Sequence, residues 1–72
     1  MSAMQSVTRN GVTIAFSTVF ASLEDYGHCL QANLEIMSLW PSRYERLLAR
    51  DAAELTRVHV ALGTPSHQQA VF

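Results

Sequence analysis

The chain has 72 residues, a formal net charge of −1 and only 15 % charged residues. That length allows one small domain, and the charge balance gives no reason to expect nucleic acid as a partner. The single cysteine, Cys29, excludes an internal disulfide and fits a reducing, cytoplasmic setting.

Met1 to Gly11 is polar and small and ends in the turn-like Arg9-Asn10-Gly11, so residues 1–11 read as a flexible N-terminus. Val12 to Val19 is ambiguous. Val12, Ile14 and Phe16 alternate as in a strand, and Thr13, Thr18 and Val19 are β-branched. A lone short strand has nothing to pair with, which favours a helix or a frayed entry. A secretory signal is a rival reading of Arg9 to Ala21, but the charge is single and far from Met1. The best apolar run, Val12 to Leu23, contains Thr13, Ser17, Thr18 and Ser22 and stops at Glu24, so no transmembrane span is expected.

Ser22 followed by Asp25 resembles a capping box, so the first helix begins near Val12 or only near Ser22. Pro41 interrupts the helical pattern that follows. It either opens a second helix or kinks one long helix. The cost of an interior proline, about 3 kcal/mol, favours the break. Ser42 to Leu62 is the clearest helix: Tyr44, Leu47, Leu48, Ala52, Leu55, Val58 and Leu62 share an arc of about 140°. Gly63 is placed to end it, and Thr64-Pro65 reads as the cap and first turn of a third helix. That helix is a stub at Val71-Phe72, a pattern that suggests a longer protein cut short. Residues 12–72 thus read as a single helical domain.

One line runs through these segments with steps alternating four and three. It comprises Phe16, Phe20, Leu23, Gly27, Leu30, Leu34, Met37, Pro41, Tyr44, Leu48, Asp51, Leu55, Val58 and Leu62. Only Gly27, Pro41 and Asp51 interrupt its apolar character, and such a heptad rhythm keeps one seam facing a partner. The expected fold is all-α: two amphipathic helices, or one kinked at Pro41, with a third stub and coiled-coil-like packing. The expected interaction surface is the apolar part of the seam: Phe16, Phe20, Leu23, Leu30, Leu34, Met37, Tyr44, Leu48, Leu55, Val58 and Leu62.

Candidate chemistry is sparse. Arg43, Arg46, Arg50 and Arg57 gather on one flank and are candidate contacts for an acidic partner, against the simpler reading of a solvated helix face. Asp51 could set register or pair with an arginine, or its edge of the seam is simply wet. His28, His59 and His67 lie too far apart for a helical metal pair, and Cys29 has no arranged base. No cofactor, metal site or catalytic residue is therefore expected, and an enzyme is improbable.

The stretch from Leu30 to Phe72 resembles the phasins, helical proteins that coat polyhydroxyalkanoate granules in bacteria. The resemblance rests on Asn33-Leu34-Glu35, on Trp40, on the run Arg43-Tyr44-Glu45-Arg46-Leu47-Leu48-Ala49-Arg50-Asp51, and on Gly63-Thr64-Pro65 leading to Gln68-Gln69. Pro41 departs from the family's long helix, and the chain ends where the family's next long helix would run. The resemblance implies a non-catalytic amphipathic coat or scaffold on an apolar polymer or lipid surface, cytoplasmic or at a granule. The alternative is a small helical adaptor or regulatory module. Either reading expects a homo-oligomer or a helical protein partner.

Overall fold

A computed structural model describes residues 3–63 of the chain. The third helical stub expected from Thr64 onward lies outside the described residues. Among those described, the order is β1 (Met4–Arg9), β2 (Val12–Ser17), α1 (Leu23–Met37) and α2 (Glu45–Leu62). The fold is α+β, which corrects the all-α expectation.

The correction originates at Asn10-Gly11. Asn10 has φ 52° and Gly11 has φ 76°. Positive φ at both central residues is the two-residue hairpin turn whose twist matches that of the flanking strands. The chain therefore doubles back, and Val12–Ser17 finds its partner in the residues expected to be loose. β1 and β2 pair antiparallel, with Arg9 opposite Val12, Val7 opposite Ile14 and Gln5 opposite Phe16. Ile14 and Phe16 are buried, while Thr13 and Ala15, which alternate with them, are exposed. The period-two alternation of β2 thus separates an apolar inner face from a polar outer one.

The Ser22 side chain caps α1, accepting from the Asp25 N–H at 3.1 Å. The helix stops at Met37, so the alternative of one kinked helix also fails. The connection from Ser38 to Tyr44 is built of tight turns. The Arg43 N–H donates to the Trp40 carbonyl at 3.1 Å. Pro41 thereby occupies the second position of a four-residue turn, where its fixed φ is an advantage. Gly63 ends α2 in the left-handed region at φ 78°, as its position suggests.

The helices run antiparallel, because the first turns of α1 meet the last turns of α2. The Tyr26 hydroxyl donates to Glu54 at 2.8 Å, and Gly27 lies against Val58. The hairpin packs chiefly on α2. Asn10 Nδ2 donates to the Val60 and Ala61 carbonyls at 3.3 and 3.0 Å, and Arg57 Nη2 donates to the Thr13 carbonyl at 2.7 Å. An ion pair of 3.2 Å joins Arg9 of β1 to Glu24 of α1.

The core is Ile14, Phe16, Leu23, Leu30, Leu55, Val58 and Ala61. Phe16 stacks on Tyr26 with ring centroids 5.0 Å apart, and Phe20 tilts against the same ring at 5.4 Å. Every member of this core lies where the hairpin covers the helical pair. From Gln31 to Glu54 no residue is buried.

Candidate functional site

The seam is split by the hairpin. Its members Phe16, Leu23, Leu30, Leu55 and Val58 are buried in the chain's own core, and Phe20, Leu34 and Leu62 pack against that core half-buried. Phe16 and Phe20 reach it from a strand and a loop, not from a helix. These residues satisfy one another, so they do not form the free surface expected of a coiled-coil seam. Met37, Tyr44 and Leu48 remain half-buried at the far end of the helical pair.

That far end holds four of the seven large apolar residues left exposed among the described residues; Met4, Val19 and Val60 are the others. Ile36, Leu39, Trp40 and Leu47 are 57, 69, 54 and 40 % exposed. They sit on the last turn of α1, the connection and the first turn of α2. The geometry behind this is simple: two antiparallel helices extend past the hairpin, and nothing among the described residues covers their joined ends. Trp40 is held by the turn it opens, since its carbonyl accepts from both the Arg43 and Tyr44 N–H groups at 3.1 and 3.2 Å. A backbone already fixed in a tight turn has less entropy to lose when its tryptophan docks.

The arginines flank this end unequally. Arg43, Arg46 and Arg50 are exposed and lie close to it in sequence. The Arg43 guanidinium carbon stands 5.6 Å from the Tyr44 ring centroid, a cation–π geometry. Arg50 reaches its neighbour Asp51 at 3.4 Å. The Asp51 side chain is only 14 % exposed, so this acid on the seam is partnered within its own chain. Arg57 belongs elsewhere, bridging Glu54 at 2.8 Å and the Thr13 carbonyl of β2. Arg50 and Arg57 line one groove with Tyr26, Asp51 and Glu54, which leaves Arg43 and Arg46 as the arginines nearest the open end in sequence.

Other polar groups are committed locally. The Tyr26 phenol is pushed up to about 12 by its burial, reinforced by its hydrogen bond to Glu54. Glu24 lies below the usual carboxylate value, held there by its backbone N–H and by Arg9. The half-buried Cys29 thiol accepts from Asn33 Nδ2 at 3.8 Å. Glu24, His28, Gln31 and His59 line an open groove between the helices, with Gly27 and Leu62 beside them. Among the described residues no three or more His, Cys, Asp or Glu are placed to hold a metal ion.

The sequence pattern placed the functional surface along the seam and so missed Ile36, Leu39 and Leu47, which lie off it. The available signal was Leu39-Trp40-Pro41: two large apolar residues at a helix stop, directly before a proline, where no following turn can cover them. Among the described residues no helix is long and apolar enough to cross a membrane. Compared with known proteins, the chain is matched by no family model, no curated protein and no solved structure.

Proposed function

We propose that this chain is a non-catalytic binding protein that docks the open end of its helical pair on an apolar surface in water. A polyhydroxyalkanoate granule or a lipid droplet presents such a surface, so the role is that of a small phasin-like coat or scaffold protein. The observation that carries this reading is the grouping of exposed Ile36, Leu39, Trp40 and Leu47 at one end, with the exposed Arg43 and Arg46 next to them in sequence. Apolar side chains enter the interface, tryptophan favours the boundary, and arginines stay in the aqueous layer or meet anionic groups. The contact area is smaller than a full seam would provide, because half the seam is occupied by the core.

The test is co-sedimentation with polymer granules and with phosphatidylcholine vesicles, with and without phosphatidylserine. The double variant Leu39→Asp, Trp40→Asp should abolish binding and leave the far-ultraviolet circular dichroism unchanged, since neither side chain belongs to the core. Binding that persists in this variant would refute the reading. Substitutions at Phe20 or Leu34 would be uninformative, because both pack against the core.

A second reading is favoured by the exposed arginines alone: an adaptor whose basic flank holds an acidic protein. It predicts capture of one defined partner, lost on Arg46→Glu with Arg50→Glu and kept on Leu39→Asp.

A further inference from the structure

We infer that the outer edge of β1 pairs with the same edge of a second copy of this chain, giving a four-stranded antiparallel sheet across a two-fold axis. The inference is independent of the open helical end and rests on the two unlike edges of the hairpin.

Hydrogen-bonding direction alternates along a strand. The Ala3 carbonyl accepts from the Thr18 N–H at 3.0 Å, which continues the ladder beyond Met4. With the hairpin register, the odd-numbered residues Gln5, Val7 and Arg9 therefore exchange bonds with β2. Met4, Ser6 and Thr8 aim their N–H and C=O groups outward. On β2 the outward positions are Thr13, Ala15 and Ser17.

The β2 edge is closed at both ends. Its Thr13 carbonyl accepts from the Arg57 guanidinium at 2.7 Å. Its Ser17 carbonyl accepts from Gln5 Nε2 at 3.3 Å and from the Phe20 N–H at 3.2 Å. The β1 edge carries no such closure: among the described residues, nothing bonds the outward groups of Met4, Ser6 or Thr8. Nor does it carry the usual protections of an edge strand, since Met4–Arg9 has no proline, lysine or bulge.

A second copy fits this edge better than an unrelated strand for two reasons. The outward residues Met4, Ser6 and Thr8 are symmetric about Ser6. Antiparallel pairing with Ser6 on the axis sets Met4 of one copy opposite Thr8 of the other and engages the outward groups of all three residues. The segment from Met4 to Thr8 is also uncharged, so the copies meet without repulsion, and Arg9 is held by Glu24. Closure of the β2 edge then stops growth at two copies, so the assembly is a closed dimer and not a fibre.

Sedimentation equilibrium of the full chain should give twice the 8.0 kDa chain mass. Ser6→Pro is the discriminating variant. Its missing N–H faces away from β2, so the hairpin tolerates it, whereas the second copy loses a donor on the axis. The dissociation constant should rise at least about tenfold, with circular dichroism unchanged. Amide exchange on the unaltered chain checks the same edge should the variant fold poorly. The Ser6 and Thr8 amides should slow as concentration rises, while the Val7 amide is slow throughout. A chain monomeric to about 1 mM, a dimer indifferent to Ser6→Pro, or Ser6 and Thr8 amides that exchange fast in the dimer would each overturn the inference. So would a dimer dissociated by Leu39→Asp, which would place the contact at the helical end.

Discussion

Gly27 of α1 packs directly against Val58 of α2: a methyl group placed on Gly27 would stand 3.2 Å from Val58 Cγ1. Val58 is fully buried and its branched side chain is stiff, so the valine has little freedom to give way. Two effects oppose each other in Gly27→Ala. Helix propensity improves by about 1 kcal/mol, and overpacking costs about 1–3 kcal/mol. The net change should be destabilising. In a Val58→Ala background the clash disappears, and the same Gly27→Ala should stabilise by about 1 kcal/mol. Urea midpoints of the four chains of this cycle test the reversal of sign. Equal effects in both backgrounds would show that the glycine is not there for close packing.

Burial of the Tyr26 phenol, reinforced by its hydrogen bond to Glu54, makes stability fall at high pH. The Tyr26 phenol titrates at about 12 in the folded chain, above the ordinary 10.0. A raised folded value means the folded state holds the proton more tightly. Its contribution is complete below about pH 10 and is lost as the pH rises toward 12. Absorbance titration of a Tyr44→Phe chain, which leaves one phenol, should show the high value in buffer and the ordinary one in urea. Tyr26→Phe should flatten stability between about pH 10 and 12 and cost about 1 kcal/mol at neutrality.

Asn10 does two separable things. It adopts the left-handed backbone of the turn, and its side-chain amide binds the Val60 and Ala61 carbonyls at the end of α2. Asn10→Gly keeps the first and loses the second, at about 1 kcal/mol. Asn10→Ala loses both and should cost about 1–2 kcal/mol more. If the two substitutions cost the same by urea denaturation, the positive φ is not under strain from a side chain.

Truncation should cost far more at the covered end of the helical pair than at its open end. Leu55 is buried in the core, so Leu55→Ala should cost about 2–5 kcal/mol. Leu47 is 40 % exposed at the open end, and Leu47→Ala should stay within about 0.5 kcal/mol. Thermal unfolding of the pair locates the boundary between the covered and the open half.

Helical features were legible because their signals are local. Ser22 caps, Pro41 breaks and Gly63 stops, and each does so through its own backbone or side chain. The hairpin was not legible for two reasons. Asn10-Gly11 was read as a stop when it is a reversal, and β1 offers only Val7 as an apolar inward residue between Gln5 and Arg9. A strand covered on one side by a partner and a helix needs little apolar sequence of its own. Phe16 and Phe20 continued the seven-residue rhythm by coincidence, which lengthened a helical pattern into a strand and a loop. At the candidate site, the arginines were visible, and Trp40 entered only through the resemblance to phasins. Which half of the seam stays open depends on where the hairpin lands, and that contact spans the chain from Asn10 to Ala61.

That long-range contact also orders events in time. Ile14 and Phe16 were made early, but the core they belong to needs Leu55, Val58 and Ala61. No stable packing exists until about four-fifths of the 72 residues have been synthesised. Until then the hairpin carries its two largest apolar side chains bare. A nascent chain stalled before Leu55 is therefore a natural client for a chaperone, although the finished fold buries both Ile14 and Phe16.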